Sequence, residues 1–298
     1  MNCLAGTKYA RRAVLAAAAA LPLLLQANFA HAVETIRFAV TDIAGLEDLQ
    51  REYGALAEAL AQTTGYEIKF TPVSSRTAAV EAMRAEQVDF VLTGPAEYVV
   101  FKKRTDAQVV VGFQRPDYFA MIVTLAESPV AGPEDLKGKK VAFGDIGSTS
   151  AHIGPMQVLA DFGVDPMKDI EALHVSRNVA VESLIKGDIA AIGINATHLA
   201  SVRSKFPDTA FKVIARGRDL PNDPVLAGKH VDPAMIEKVR KAFIDNQPAL
   251  IEALLKGEDT QKYKGMHFLA SIEDKDYDYV RRMYATIGYP EYAEFVGQ

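Results

Sequence analysis

The order of short apolar runs and amphipathic stretches constrains the fold of this chain most strongly. Residues 35–40 (TIRFAV) and 66–73 (YEIKFTPV) have the composition of strands, and residues 49–65 between them repeat apolar side chains at helical spacing and end at a glycine. A helix over 76–87 and a strand over 88–95 complete a βαβαβ series. This alternation predicts an α/β fold with helices packed on mostly parallel sheets.

A second series of the same kind begins after residue 139. It comprises a strand at 140–143, a helix from about Ser150, a strand near 170–175, a helix at 178–186 and a strand at 188–194. Such a repeat of the α/β pattern indicates a second doubly wound lobe. The remainder, from residue 233 to the end, is predicted to be mostly helical.

The first 32 residues differ from the rest of the chain. Three basic residues precede an apolar run over 13–25, and the small residues at 30–32 (AHA) suit a signal peptidase. We therefore predict a secretory signal peptide over residues 1–32, cleaved after Ala32. A permanent membrane anchor is disfavoured because the apolar run is short. Two adjacent arginines in this segment leave twin-arginine export open beside the general secretory route.

Charge and cysteine content exclude several classes of function. Three of the 33 basic residues and none of the 38 acidic residues lie in the first 32 positions, so the mature chain carries a net charge of −8. This acidity argues against nucleic acid or an anionic membrane as the main partner. The single cysteine, Cys3, is removed with the signal peptide, so no thiol remains for a disulfide, a metal site or redox chemistry.

The most informative motif is Gly147-Ser148-Thr149-Ser150, which lies between the strand at 140–143 and the predicted helix. The first N–H groups of a helix lack internal partners and the helix dipole adds partial positive charge, so a helix start can bind an anion. Hydroxyl groups add rotatable donors for the oxygens of a tetrahedral anion. N-capping would explain one hydroxyl, whereas three adjacent hydroxyls favour anion binding.

Three further stretches place polar side chains after predicted strands. Tyr98 in GPAEY (94–98) either extends its phenol into a cleft or packs its ring at a helix start. Asp223 in PNDP (221–224) is either part of a surface turn or a rigidly presented carboxylate. Asn195 at the end of a predicted strand either lines a pocket or caps the next helix.

The order of these motifs along the chain resembles that in a known family. The order is GP-x-x-Y, then G-S-T-S at a helix start, then a strand that ends in an Asn/Thr stretch, then P-x-D-P. The chain is similar to the phosphonate- and phosphite-binding proteins of bacterial ABC importers, a branch of the phosphate, phosphite and phosphonate substrate-binding family. The similarity covers nearly the whole mature chain. It includes residues 81–95 before the tyrosine motif and 135–145 before the hydroxyl motif.

The resemblance implies a type II periplasmic binding protein fold, in which two doubly wound α/β lobes hold the ligand in a cleft between them. Two crossover hinge strands near 118–124 and 211–219 would allow the lobes to close. Lobe 1 would comprise residues 33–118 and the mostly helical 219–298, and lobe 2 residues 119–218. The implied ligand-binding residues are Ser148, Thr149 and Ser150 as a phosphoryl cradle on lobe 2, with Tyr98 and Asp223 facing them from lobe 1.

The chain departs from the family pattern at two positions. Asn195 stands where relatives that hold aminoalkylphosphonates have a glutamate, which removes a partner for a ligand ammonium. Arg177 follows Ser176 where a histidine is usual, and it either pairs with the anion or faces solvent, the pocket role being favoured. His152, just after the cradle, either donates to a ligand oxygen or lies on the helix surface, the surface being favoured.

Asp223 bears on ligand choice because an ionised carboxylate only accepts hydrogen bonds. A site that contains it should select ligands with a P–OH proton or an amine and disfavour sulfate. Since Asn195 is uncharged, this reasoning favours phosphite, phosphate or a small alkylphosphonate as the ligand.

We therefore expect a monomeric periplasmic receptor that delivers its ligand to an ABC permease, without catalytic residues, cofactor or metal. One alternative is an oxyanion receptor that signals to a membrane histidine kinase. Arsenite as its ligand is disfavoured, because the mature chain contains no cysteine. Another is a hydrolase that uses Ser150 and His152. The chain contains no G-x-S-x-G, H-E-x-x-H or P-loop motif, so the hydrolase is the weaker alternative.

Overall fold

The computed structural model describes residues 33–296 and contains two β-sheets. The predicted signal peptide and its cleavage site lie outside the described residues. Between residues 33 and 296, no helix combines the length and the apolar composition needed to cross a membrane.

Strands and helices alternate through most of the described chain. The strands are β1 (Thr35–Val40), β2 (Glu67–Phe70), β3 (Phe90–Leu92), β4 (Gln108–Phe113), β5 (Phe119–Leu125), β6 (Lys140–Phe143), β7 (Glu171–His174), β8 (Ala191–Asn195), β9 (Phe211–Asp219), β10 (Asp223–Ala227) and β11 (Phe268–Leu269). The α-helices are α1 (Leu46–Thr64), α2 (Arg76–Arg84), α3 (Pro95–Thr105), α4 (Gly154–Asp161), α5 (Arg177–Lys186), α6 (Ala196–Lys205), α7 (Pro233–Asp245), α8 (Gln247–Leu254) and α9 (Asp278–Thr286). The shorter turns are a π-turn at Thr149–Ile153 and 3-10 turns at Pro133–Leu136, Asp259–Tyr263, Asp274–Tyr277 and Pro290–Tyr292.

The two sheets each combine a parallel core with antiparallel strands. The first has the order β11-β4-β10-β3-β1-β2, in which β1 is parallel to β2 and β3 while β10 is antiparallel to β3 and β4. The second has the order β7-β6-β8-β5-β9, in which β6 is parallel to β7 and β8 while β5 is antiparallel to β8 and β9. The predicted α/β fold with two lobes is therefore confirmed.

The first sheet takes its strands from residues 35–113 and 223–269, and the second from residues 119–219. We call the parts of the chain built on these sheets the first and the second lobe. We propose the lobe boundaries at 118/119 and 218/219, of which the second lies one residue before the end of β9 at Asp219.

Two short segments carry the chain between the sheets, residues 114–118 and residues 220–222. They are joined directly, because the Arg115 N–H donates to Asn222 Oδ1 at 3.0 Å and the Leu220 N–H donates to the Tyr118 carbonyl at 2.8 Å. The predicted hinge strands correspond to β5 and β9, which pair with each other inside the second sheet. The segments that pass between the sheets are therefore shorter than the sequence indicated.

The hydrophobic core falls into three clusters. One fills the first lobe between its sheet and helices α1, α7 and α8, and another lies between the second sheet and helices α5 and α6. The third contains residues of both lobes and of the C-terminal helix α9, which packs against α3 of the first lobe and α4 of the second. Because α9 contacts both lobes, it stabilises their arrangement around the space between them.

Candidate ligand-binding site

A cavity of about 500 Å³ lies between the lobes, and its walls come from both; we call it the cleft. Many of its lining residues follow the carboxyl ends of β1, β3, β6 and β8. This is the edge of α/β sheets at which ligands are commonly bound. Further lining comes from the crossover segment 114–118 and from residues 258–262.

Ser148, Thr149 and Ser150 all line the cleft, directly after β6. A helical segment begins within one residue of the predicted start near Ser150: Thr149–Ile153 forms a π-turn that continues directly into α4 at Gly154. The Ser148 carbonyl accepts two N–H groups, from residues 152 and 153, both at 3.1 Å. The first N–H groups of such a turn have no partner within it. Hydroxyls and amides of one turn therefore supply donors for an anion in the cleft, and π-turns often occur at functional sites.

The hydroxyl of Thr149 connects the two lobes. Its Oγ1 accepts a hydrogen bond from the N–H of Ala96 at 2.9 Å, and Thr149 is only 3% exposed. Ala96 lies in the first turn of α3, whose N-cap Gly94 provides no side-chain cap, so its N–H is one of the groups a helix cannot satisfy internally. Since the oxygen accepts this bond, the hydroxyl hydrogen of Thr149 remains available to a ligand.

Asn195 combines the two roles left open by the sequence. Its Oδ1 accepts the His198 N–H at 2.9 Å and so caps α6, while its Nδ2 donates to Ser150 Oγ at 2.8 Å. Asn195 is 1% exposed and lines the cleft. Because Ser150 Oγ accepts from Asn195, its own hydrogen is free to donate elsewhere.

Four cationic side chains line the cleft, and they differ in how they are paired. Arg76 pairs with Glu97 and, at 2.9 Å, with Asp42, which also lies 3.2 Å from Lys262 Nζ. Burial raises the pKa of Glu97 to about 7, although Arg76 opposes this shift. Among the described residues, two further cleft arginines have looser pairing: Arg115 lies 3.4 Å from a carboxylate, and Arg177, at the start of α5, has none within ion-pair distance. The structure thus brings the predicted residue Arg177 to the cleft.

Asp223 lies behind the cleft wall. It is 2% exposed and does not line the cleft, and its Oδ2 is 3.4 Å from Arg115, which does. The same oxygen accepts the Tyr263 hydroxyl at 2.7 Å. Asp223 was predicted to face the cradle from the first lobe. In the structure it does not border the cleft, and Arg115, which does, lies next to its carboxylate.

Tyr98 does not reach the cleft either. Its phenol donates to Asp274 Oδ1 at 2.6 Å, and its ring lies with its centre 4.0 Å from that of Tyr277. The residue is 2% exposed and is absent from the cleft lining. Of the two alternatives for Tyr98, the structure shows the packed ring. Contacts with residues 274–277 hold the side chain in the core.

His152 also lies away from the cleft, and it is not on the helix surface. It is 5% exposed, its Nδ1 accepts the Gly147 N–H at 3.0 Å, and its ring meets that of His174 edge-on at 4.6 Å. It lines a separate cavity of about 490 Å³ with mostly apolar walls, beside Met156 and Tyr284. The imidazole therefore supports the loop that carries the cradle and does not face the ligand.

Burial lowers the pKa of His152 from 6.5 to about 4, with a smaller contribution from His174. The unfolded chain takes up a proton at this position below about pH 6.5, whereas the folded chain does so only near pH 4, so the free energy of unfolding must fall as the pH falls through this window. We expect this residue to remove on the order of 2 kcal/mol between pH 7 and pH 4.5. The comparison is urea unfolding at both pH values for the wild type and for His152→Asn, which keeps an acceptor for Gly147. An equal loss of unfolding free energy in both proteins would contradict the lowered pKa of His152.

Several cleft residues were missed in the sequence. Arg115 and Tyr118 lie in QRPDY between two apolar runs, a polar insertion that marks the crossing from one lobe to the other. His198 lines the cleft with its Nδ1 buried and unpartnered among the described residues, and burial together with nearby arginines and Lys262 lowers its pKa to about 3. Arg76 and Lys262 gave no local signal, because ordinary helix and turn sequences surround them.

Comparisons with known proteins agree with this architecture. Residues 38–277 match the model of a family described as ABC transporter, phosphonate, periplasmic substrate-binding protein. The chain is 34% identical over 138 residues to the phosphate-import protein PhnD of Mycolicibacterium smegmatis. That alignment covers 44% of this chain and 43% of the relative, so it spans less than half of either protein.

Solved structures resemble the fold over most of its length. A binding protein component of an ABC phosphonate transporter from Pseudomonas aeruginosa superposes with a TM-score of 0.65 at 19% identity, covering 84% of this chain and 85% of that one. PhnD1 from Prochlorococcus marinus in complex with methylphosphonate gives a TM-score of 0.68 at 16% identity, covering 86% and 99%. The aliphatic sulphonate binding protein SsuA from Escherichia coli gives 0.57 at 17% identity, covering 87% and 92%. These likenesses show the type II periplasmic binding protein fold.

Proposed function

The chain belongs to the family of periplasmic phosphonate-binding proteins of ABC transporters, and from this premise we propose that it captures a small phosphorus oxyanion and delivers it to a membrane permease. Phosphite, phosphate and small alkylphosphonates are the candidate ligands. The observation that carries the proposal is the placement of three adjacent hydroxyl side chains, Ser148, Thr149 and Ser150, in a cleft between two α/β lobes.

The mechanism we infer is closure of the lobes around the anion without a chemical step. Hydroxyl and amide donors of the second lobe would replace the hydration shell of the ligand, and the cationic side chains would offset its charge. The hydrogen bond between Ala96 and Thr149 joins the lobes beside the cradle, and it supports a closed arrangement in which ligand contacts and lobe contacts form together. Ligand binding would thereby shift the population of lobe orientations toward the closed one.

The two alternatives have less support. The family consists of transporter components, and none of the comparisons above supports a receptor that signals to a histidine kinase. A hydrolase would need Ser150 and His152 as a nucleophile–base pair. Instead, Ser150 Oγ accepts from Asn195 and His152 Nδ1 accepts from the Gly147 N–H.

Periplasmic location and partnership with an inner-membrane ABC permease follow from the same premise. Export would depend on the signal peptide predicted over residues 1–32. A monomeric state is part of the proposal, since ligand capture needs only the two lobes of one chain.

Calorimetry on ligand-stripped mature protein tests the proposal. Phosphite, phosphate, methylphosphonate, 2-aminoethylphosphonate, sulfate and arsenite are titrated in parallel under one buffer condition. We expect a phosphorus compound to bind most tightly, and the uncharged Asn195 to offer the ammonium of 2-aminoethylphosphonate no ion pair at its own position. Binding of none of the phosphorus compounds would refute the proposed function.

A further inference from the structure

The proposed function leaves open which protonation state of the oxyanion the cleft accepts. Building on that function, we propose that Arg115 is a specificity-determining residue: it neutralises Asp223 and presents its guanidinium to the ligand, so that the cleft accepts a fully deprotonated oxyanion. Asp223 then positions Arg115 and does not accept a proton from the ligand. This reverses the expectation drawn from the sequence, in which Asp223 selects ligands that carry a P–OH group.

Asp223 is enclosed by protein groups and does not line the cleft. Its Oδ2 is occupied by the Tyr263 hydroxyl at 2.7 Å and by the Arg115 guanidinium at 3.4 Å. Its Oδ1 is buried from solvent and has no hydrogen-bond partner among the described residues. A carboxylate enclosed in this way is strongly destabilised unless a cation offsets its charge, and within residues 33–296 the cation at ion-pair distance is Arg115.

Arg115 is fixed by three contacts, so its guanidinium has a defined place in the cleft wall. Its Cζ lies 3.6 Å from the centre of the Tyr118 ring, its backbone N–H donates to Asn222 Oδ1 at 3.0 Å, and its Nη1 donates to Asp223 Oδ2 at 3.4 Å. The side chain is 9% exposed and lines the cleft. Because only one weak hydrogen bond to the described residues uses its guanidinium donors, most of the five N–H groups of a guanidinium remain for an anion.

Arg115 also occupies the crossing between the lobes. Segments 114–118 and 220–222 are held together by hydrogen bonds and lead directly to Asp223, the first residue of β10. A residue at this crossing keeps its neighbours when the lobes open and close about it. Arg115 can therefore meet the ligand before closure, while the cradle on the second lobe completes the site afterwards.

The other cleft cations do not replace Arg115 in this role. Arg177 lies at the start of α5 in the second lobe, whereas the cation paired with Asp223 is Arg115. Arg76 and Lys262 share Asp42, and Arg76 also pairs with Glu97. Burial lowers the pKa of Arg115, but the neighbouring Tyr118, Asp223 and Tyr263 raise it above its ordinary value, so the guanidinium stays charged. Burial raises the pKa of Asp223 above its ordinary value, and Arg115 and Lys262 oppose this shift, so the ionised carboxylate depends on these two cations.

A double-mutant cycle tests the coupling with phosphate as the probe, measured by calorimetry at pH 8, where the dianion predominates. We expect Arg115→Met to weaken binding by about thirtyfold or more, because it leaves the Asp223 charge next to the anion. Asp223→Asn alone should change the affinity by less than about fivefold, and the double variant should bind more tightly than Arg115→Met. Sulfate, which carries no proton at this pH, should bind to the wild type and follow the same pattern.

The controls separate charge from folding and separate the two proposals from each other. Arg115→Lys keeps a cation and should retain binding within about tenfold, and thermal unfolding identifies any variant that fails to fold. Strong loss in Asp223→Asn together with additive loss in the double variant would overturn the inference, since Asp223 would then contact the ligand itself. Unchanged affinity in Arg115→Met would also overturn it. If the wild type binds no phosphorus oxyanion, the proposed function fails before the cycle is run.

Discussion

Thr149→Val is expected to weaken binding of the preferred phosphorus oxyanion by about a hundredfold or more. The change keeps the shape of the side chain and removes its hydroxyl. Two interactions are lost together, because the hydroxyl is proposed to donate to the ligand and its oxygen accepts the Ala96 N–H at 2.9 Å. With the lobes closed, that N–H would be left without a partner at a buried position, at a cost of about 1–3 kcal/mol in addition to the lost ligand contact.

The matched control is Thr149→Ser, which keeps the hydroxyl and should stay within about tenfold of the wild type. Small-angle scattering adds a readout specific to the contact between lobes. At saturating ligand, Thr149→Ser should become as compact as the wild type, and Thr149→Val should retain a larger open fraction. A valine variant with wild-type affinity would show that neither the cradle nor the contact with Ala96 depends on this hydroxyl.

The sequence predicted the fold well because the signal for it is local. Strands β1, β6 and β7 agree with the predicted segments to within two residues at each end, since apolar runs bounded by polar turns define them. The local sequence could not predict that β5 pairs with β9 and β10 with β4, because these antiparallel partners lie far apart in the chain. The short crossings at 114–118 and 220–222 follow from that pairing.

The cleft residues that were predicted are those whose position follows from the local sequence, and the residues that were missed or misplaced depend on distant parts of the chain. The cradle follows β6 and Asn195 is the last residue of β8, and both strands end at the cleft, so strand position alone placed these residues. Tyr98 and His152 also follow strands, but the direction of a long side chain depends on its tertiary neighbours, which are residues 274–277 for the phenol and His174 for the imidazole. Asp223 was placed correctly along the chain, and only the structure showed the arginine in front of it.

Gly154→Ala is expected to abolish most of the oxyanion binding and to destabilise the fold, although the residue does not line the cleft. An added Cβ would lie 2.5 Å from the Thr149 carbonyl oxygen and 3.0 Å from Cβ of Ala120 in β5. The Gly154 N–H donates to that same carbonyl and so closes the π-turn. Relief of the clash requires the turn to move against β5 of the second sheet, which should cost about 1–3 kcal/mol of stability. Movement of the cradle would remove two or more ligand hydrogen bonds, or about a hundredfold in affinity.

Gly54→Ala serves as the matched control for Gly154→Ala. Gly54 lies inside α1, and an added Cβ would meet only the flexible side-chain oxygen of Gln50 at 3.4 Å. Because glycine is unfavourable within a helix, Gly54→Ala should stabilise the fold by about 0.5–1 kcal/mol and leave ligand affinity unchanged. Thermal unfolding and calorimetry on the two variants therefore give opposite signs for stability. Normal ligand affinity in Gly154→Ala would show that the cradle tolerates a displaced turn and that its hydroxyls are not held by the geometry of residues 149–154.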